Sequence, residues 1–362
     1  MARLLMQAWE KAGHHIEVAS RLRTHEKNAD ARRQAELAAI GEAHAQRLLR
    51  EYARRPAHER PAAWFTYHVY YKAPDWIGPR VAKALNIPYL MAEASVANKR
   101  AQGPYELGHQ GTLTAIRAAN VIFIINPTDA EALRAMMSEQ TRLVDLPAFL
   151  NTAPYRKVAE QHDKLRRELA YRFNLDGHLW LLTVAMMRSG DKLASYRILG
   201  EALAQVLDLT WQLIVVGDGH AREEVHRALA PLGEGRVRFV GSQSETALPA
   251  FYGAADLCVW PAVNEAYGMA LLEAQAAGLP VVAGGAGGVA SIVESGITGL
   301  LSRPNDAAAF ARALRTLIDT PERRLAMAKA AFDKTRQRHD IAAAAQILDR
   351  ALHQALLLSV PV

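Results

Sequence analysis

The chain carries a single cysteine, Cys258, in 362 residues. With no second thiol, an intrachain disulfide framework is excluded, which fits a reducing compartment. Cys258 lies inside the apolar run Leu257-Cys-Val-Trp260 and reads as a small buried hydrophobe rather than a nucleophile. Long apolar runs are missing as well, and none approaches the roughly 18 residues that cross a bilayer. Residues 1–10 lack the sustained apolar core of a signal peptide. A cytoplasmic protein is therefore expected, at most peripheral to the inner face of a membrane. There is no internal repeat and no low-complexity tract. Basic runs interleaved with aromatics are also lacking, which argues against a nucleic-acid partner. The net charge of +6 is mild and concentrated in the N-terminal half. It reads first as a solvated basic face; an acidic membrane surface or a phosphorylated acceptor are the partners it would favour.

What is present is an alternation of short apolar strands with helical stretches, which predicts an α/β fold with parallel sheets covered on both faces. In the first half, helical spacing over residues 1–12 ends at Gly13 and is followed by a short strand, Ile16-Glu-Val-Ala-Ser20. A long helix covers residues 31–54, and strands are predicted at 64–67, 89–92 and 121–125. Irregular sequence with Pro147 and Pro154 then marks a boundary. A second cycle begins at Leu179-Trp-Leu-Leu-Thr-Val184, continues through Trp211-Gln-Leu-Ile-Val-Val216 and Val237-Arg-Phe-Val240, and ends near Leu301. The expected organisation is an N-terminal Rossmann-like domain over 1–155, a C-terminal one over 156–340, and a helix over 341–362 crossing back to the first. Doubly wound sheets open on a central strand. This chain opens on the helix that should follow it, so the N-terminal sheet is expected to lack its first strand and Gly-rich loop, and Met1 reads as an internal start or a truncation.

Four features in the second half converge on phosphate and sugar chemistry. Arg188 and Lys192 lie just past a strand end, where two cations would neutralise a diphosphate leaving group. Gly217-Asp218-Gly219 closes the next strand, where glycine permits a tight turn or close approach to a ligand. A third loop, Gly284-Gly-Ala-Gly-Gly288, reads equally as a phosphate cradle and as a plain strand-to-helix link. The fourth is Glu265 with Glu273: the first falls in a loop, and the second about one turn into a helix that opens near Tyr267-Gly268 and stops at Gly278-Leu-Pro280. Apolar Met269, Leu271 and Leu272 around Glu273 predict a partly buried carboxylate.

The ordered series from Leu181 to Leu301 resembles the family 4 glycosyltransferases of the GT-B fold. It comprises Arg188 and Lys192, Gly217-Asp-Gly219, Phe239-Val-Gly241, Tyr252-Gly-Ala-Ala-Asp256, Glu265 with Glu273 and Gly268, Gly278-Leu-Pro-Val-Val-Ala283, Gly287-Gly288 and Thr298-Gly299. The resemblance implies two Rossmann-like domains facing across a cleft. It also implies retaining transfer of a sugar from a nucleotide diphosphate donor to a glycan, lipid-linked or small-molecule acceptor, without cofactor or metal. Arg188, Lys192 and Glu265 would then be catalytic. Glu273 would hold the ribose, and Gly268, Met269, Gly217, Asp218, Gly219 and Gly241 would line the donor site. In the family a histidine commonly ends the strand at 89–92; here Glu93-Ala-Ser95 stands there, and His68, Glu93 and His109 are the candidates for the acceptor side. The competing readings are a nucleotide-sugar binder without transfer activity and another GT-B enzyme such as a nucleotide-sugar epimerase.

Overall fold

The computed structural model describes residues 1–359. The chain divides into two compact units, one formed by Met1–Pro147 with the chain from Ala342 onward, the other by Ala148–Ile341. The division falls at Pro147/Ala148, where the sequence reading set it after residue 155, and the C-terminal helix Ile341–Ser359 counts almost wholly with the first unit.

In the first unit four parallel strands follow one another in chain order: β1 (Trp64–Val69), β2 (Tyr89–Ala94), β3 (Val121–Ile124) and β4 (Arg142–Asp145). β3 is buried at every residue and β2 at all but Glu93, as expected for parallel strands covered on both faces. The helix Ala2–Lys11 seals one region of the sheet through Trp9, whose ring meets Phe65 and Phe123 edge-on at 5.5 and 6.4 Å. The helix Ala31–Arg54 starts where the Asp30 carboxylate accepts from the Arg32 and Arg33 amides.

Two departures from the sequence reading have physical causes. Ile16-Glu-Val-Ala-Ser20 is irregular rather than a strand. The sheet ends on β1, and no strand precedes Trp64 among the described residues. Its side chains tie instead to the helix Ala31–Arg54 and the residue after it, with Arg55 forked on Glu17 at 2.7 and 2.9 Å and Ser20 on His44 at 3.2 Å. Conversely, β4 went unread because Arg-Leu-Val-Asp has only two apolar residues and occupies a sheet edge with both ends exposed.

The second unit holds a six-stranded parallel sheet in the order β10-β9-β8-β5-β6-β7. Its strands are β5 (Leu179–Val184), β6 (Trp211–Val216), β7 (Val237–Gly241), β8 (Leu257–Trp260), β9 (Val281–Gly284) and β10 (Gly299–Ser302). The order reverses between β5 and β8, which pair through Leu181 with Leu257 and Leu182 with Cys258. A buried Thr183 hydroxyl donates to the Val259 carbonyl at 2.7 Å and pins the two strands together. Chains leaving adjacent strands toward opposite faces open a crevice at the carboxyl ends, where sheets of this kind bind ligands. Cys258 is buried beside this crevice, and burial, with the Glu273 charge adding to it, pushes its thiol up to about 12. It is an inert core residue.

Candidate donor site in the second unit

The loops leaving β5, β6 and β7 are bonded to one another through backbone. Met187 N–H donates to the Asp218 carbonyl at 2.9 Å, Ala221 N–H to the Met187 carbonyl at 3.0 Å, and Gly217 N–H to the Gly241 carbonyl at 3.0 Å. Side chains cannot be accommodated at Gly217 and Gly219. Their φ angles are 148° and 157°, and a Cβ would come within 1.9 Å of the Ala185 carbonyl oxygen and 2.2 Å of the Met187 carbonyl oxygen. Asp218 turns onto its own loop and accepts from the Gly219 N–H at 2.8 Å. Gly217, Asp218, Gly219 and Gly241 thus build the frame of the crevice. Set on that frame, Arg188 is exposed, and its carbonyl accepts from Leu193 N–H at 3.0 Å, closing the first turn of the helix Asp191–Ala204. Ser189 N–H reaches the ring of His220 at 3.2 Å, a bridge between the first two loops that the sequence did not disclose.

The loop after β8 brings Glu265 to the same place. Its non-glycine residues Ala262 and Asn264 take left-handed φ angles of 56° and 48°. Such conformations persist when their surroundings over-determine them. Here Asn264 donates to the Asp191 carboxylate at 3.0 Å and Val263 N–H to the buried Ser195 hydroxyl at 3.0 Å. The result is that Lys192 Nζ stands 2.5 Å from Glu265 Oε2. The ammonium also lies 5.4 Å from the centre of the Trp260 ring, whose indole N–H approaches the same carboxylate oxygen at 3.4 Å. With 29% and 18% of their side chains exposed, the two partners are sheltered enough for the pairing to outweigh a surface ion pair.

The Gly-rich loop between β9 and the helix Val289–Ile292 supports this arrangement from behind. A Cβ on Gly287 would lie 2.1 Å from the Glu265 carbonyl oxygen, and one on Gly288 2.2 Å from that of Ala266. Gly288 N–H in turn donates to the Ala266 carbonyl at 3.1 Å. Of the two readings of Gly284–Gly288, the geometry therefore supplies a definite structural one: these glycines let the backbone press against the Glu265 loop. Gly288→Ala should cost about 1–3 kcal/mol by overpacking. Thermal unfolding checks this, and an unchanged melting temperature would contradict the contact.

Glu273 sits one turn inside the helix Met269–Ala276. Gly268 precedes that helix at φ 78°, and no side chain caps it, which leaves the amide end around Gly268 and Met269 to other acceptors. The Glu273 carboxylate accepts the Tyr252 hydroxyl at 2.8 Å, and Tyr155 also donates to it. Burial pushes its pKa above the usual glutamate value; the two phenol bonds pull it back and the Glu245 charge raises it again. Tyr252 belongs to the Tyr252–Asp256 motif, so a signal for it existed. Tyr155 lies in the irregular boundary stretch and had none.

In the first unit, His68 and Glu93 come together at the carboxyl ends of β1 and β2, with His68 Nδ1 3.3 Å from Glu93 Oε1. The Tyr67 hydroxyl also bonds Glu93, and burial pushes that phenol well up. His109 has a different setting. It is buried in the helix Glu106–Ala118, its Nδ1 has no hydrogen-bond partner, and burial lowers its pKa.

Residues 184–334 match the family described as glycosyl transferases group 1. Over that stretch the chain is similar to the group 1 glycosyl transferases. Arg188, Lys192, Gly217, Asp218, Gly219, Gly241, Glu265, Gly268, Met269 and Glu273 all fall in the matched stretch; His68, Glu93 and His109 precede it. A D-inositol 3-phosphate glycosyltransferase of Corynebacterium aurimucosum is 38% identical over 146 residues, covering 40% of this chain and 34% of the relative. An alpha-D-kanosaminyltransferase of Streptomyces kanamyceticus is 26% identical over 231 residues, covering 64% and 59%. The chain thus spans about a third of the length of the first of these curated relatives. In fold, it is similar to the Anabaena protein HepE, solved with UDP and glucose, at TM-score 0.65, 20% identity and coverage of 87% and 82% of the two chains. Both units are of the α/β, parallel-sheet type found in GT-B transferases. Among the described residues, no group of three or more His, Cys, Asp or Glu side chains is placed to hold a metal ion.

Proposed function

We propose that this protein is a retaining glycosyltransferase that moves a sugar from a nucleoside diphosphate donor to a glycan, lipid-linked or small-molecule acceptor. The observation that carries the reading is the convergence, at the switch point of the second unit, of Lys192, Glu265 and an uncapped helix N-terminus. In the reaction the bond from the sugar C1 to the β-phosphate oxygen breaks, and its electron pair leaves with the diphosphate. The acceptor oxygen bonds to C1, and its proton passes to the departing diphosphate. Lys192 and Arg188, with the amides at Gly268 and Met269, meet the negative charge that develops on the leaving group. Glu265 accepts hydrogen bonds from hydroxyls of the transferred sugar, and Glu273 from the ribose. The protein's own cations and dipoles suffice for these roles, so no metal is assigned.

On the acceptor side the proposal assigns His68 and Glu93, and leaves His109 as a packing residue. No helix among the described residues is long and apolar enough to cross a membrane. A cytoplasmic location, with at most peripheral contact to an acidic membrane surface, remains part of the proposal. Product analysis with a panel of nucleotide sugars tests the function. Transfer with retained anomeric configuration is expected; free epimerised donor as the sole product would replace the reading with an epimerase.

A further inference from the structure

The carboxyl edge of the first unit's sheet holds a cluster of polar groups whose chemistry points to a class of acceptor. His68 and Glu93 stand side by side, between the register pairs Tyr67 with Ala92 and Val69 with Ala94. Both depart from strand geometry, with φ angles of 65° and 58°. In neighbouring parallel strands these matching left-handed kinks turn an imidazole and a carboxylate toward each other, 3.3 Å apart. Tyr67 donates its hydroxyl to Glu93. His68 packs its ring edge-on against Tyr70 at 4.8 Å. Just past β3, Asp129 is close enough to feel the Glu93 charge; burial first, and that charge second, push its pKa up.

This edge therefore offers hydrogen-bond acceptors and negative charge. Lys72 and Arg100 each face the rings of Tyr71 and Tyr105, 5.5–5.8 Å from their centres. A phosphate here would meet Glu93 and Asp129, and like charges at close range reject a ligand as effectively as a clash does. Hydroxyls and ammonium groups, in contrast, supply the donors that carboxylates bind most strongly. Resting on the glycosyltransferase reading above, we propose that the acceptor read by this edge is a polyol bearing an ammonium group and not a phosphate.

Three probes built on one ring isolate the point: inositol, inosamine and D-inositol 3-phosphate, titrated into the full-length protein by calorimetry in the presence of UDP. Inosamine should bind tightest and inositol 3-phosphate weakest, with at least a tenfold gap between them. Glu93→Gln should erase about tenfold of the inosamine preference while the affinity for UDP stays as in the wild type. If Glu93→Gln fails to fold, Asp129→Asn makes the same comparison. Tightest binding of inositol 3-phosphate, an unchanged ratio in a folded variant, or no binding of any probe at millimolar concentration would each overturn the proposal. Failure of UDP, GDP, ADP, CDP and TDP alike to bind, with the inosamine preference intact, would instead count against the donor reading.

Discussion

Lys192→Ala should lower the transfer rate by about 10²–10³ while leaving nucleoside diphosphate binding within a few-fold of wild type. The expectation follows from where charge develops. The ammonium is paired with Glu265 at 2.5 Å and sits over Trp260, so its position is fixed by the protein's own groups. A fixed cation costs no reorganisation when the diphosphate begins to leave, and for that reason it stabilises the transition state more than the ground state. The substitution also leaves Glu265 without its partner in a sheltered position, at a stability cost of about 1 kcal/mol. Lys192→Arg keeps the charge and should recover part of the rate. Single-turnover kinetics at saturating donor would separate the outcomes: a pure loss of affinity with an unchanged chemical step would move Lys192 out of the leaving-group role.

Glu273→Gln should produce a protein that is more stable yet binds its donor worse. Burial raises the folded-state pKa of Glu273 above its unfolded value. A carboxyl shifted in that direction favours the folded state at low pH, and this contribution is lost as pH rises through the folded pKa. Near neutral pH the folded protein is holding an anion that water would solvate better. Glutamine removes that burden and still offers an acceptor to Tyr252 and Tyr155, so a gain of about 1 kcal/mol is expected. The advantage over wild type should shrink as pH falls toward 4, which thermal unfolding across pH would show. Donor affinity should meanwhile fall by about 10–100-fold, the worth of roughly 1.5–3 kcal/mol for bonds between ribose hydroxyls and a charged acceptor. A variant that is less stable at every pH would contradict the account of burial. One with wild-type affinity would contradict the ribose role.

Much of the second unit was legible because its strands are unbroken apolar runs stopped by glycine and proline. Leu257-Cys-Val-Trp260 ends at Pro261, and the helix after it stops at Gly278-Leu-Pro280, so Glu265 could be put in a loop and Glu273 one turn into a helix. Pairings were out of reach. Lys192 and Glu265 are 73 residues apart, and their contact depends on left-handed backbone at Ala262 and Asn264 that neither residue type announces. The same holds for His68 and Glu93, each read singly, whose meeting requires kinks in two strands. Ile16–Ser20 misled because local pattern records a strand's propensity and not the side-chain ties, Glu17 to Arg55 and Ser20 to His44, that hold the segment elsewhere. Tyr155 left no trace because its role as a donor to Glu273 is set by the packing of the helix Ala153–Ala159, which carries no motif.

The central claim is that the switch point of the second unit holds the nucleoside diphosphate of a sugar donor, with Glu273 on the ribose. Calorimetric titration of the wild type and Glu273→Gln with UDP, GDP, ADP, CDP and TDP tests it most directly. One of the five should bind the wild type at micromolar concentration and bind Glu273→Gln at least tenfold more weakly. Absence of binding by all five, or binding indifferent to Glu273, would contradict it.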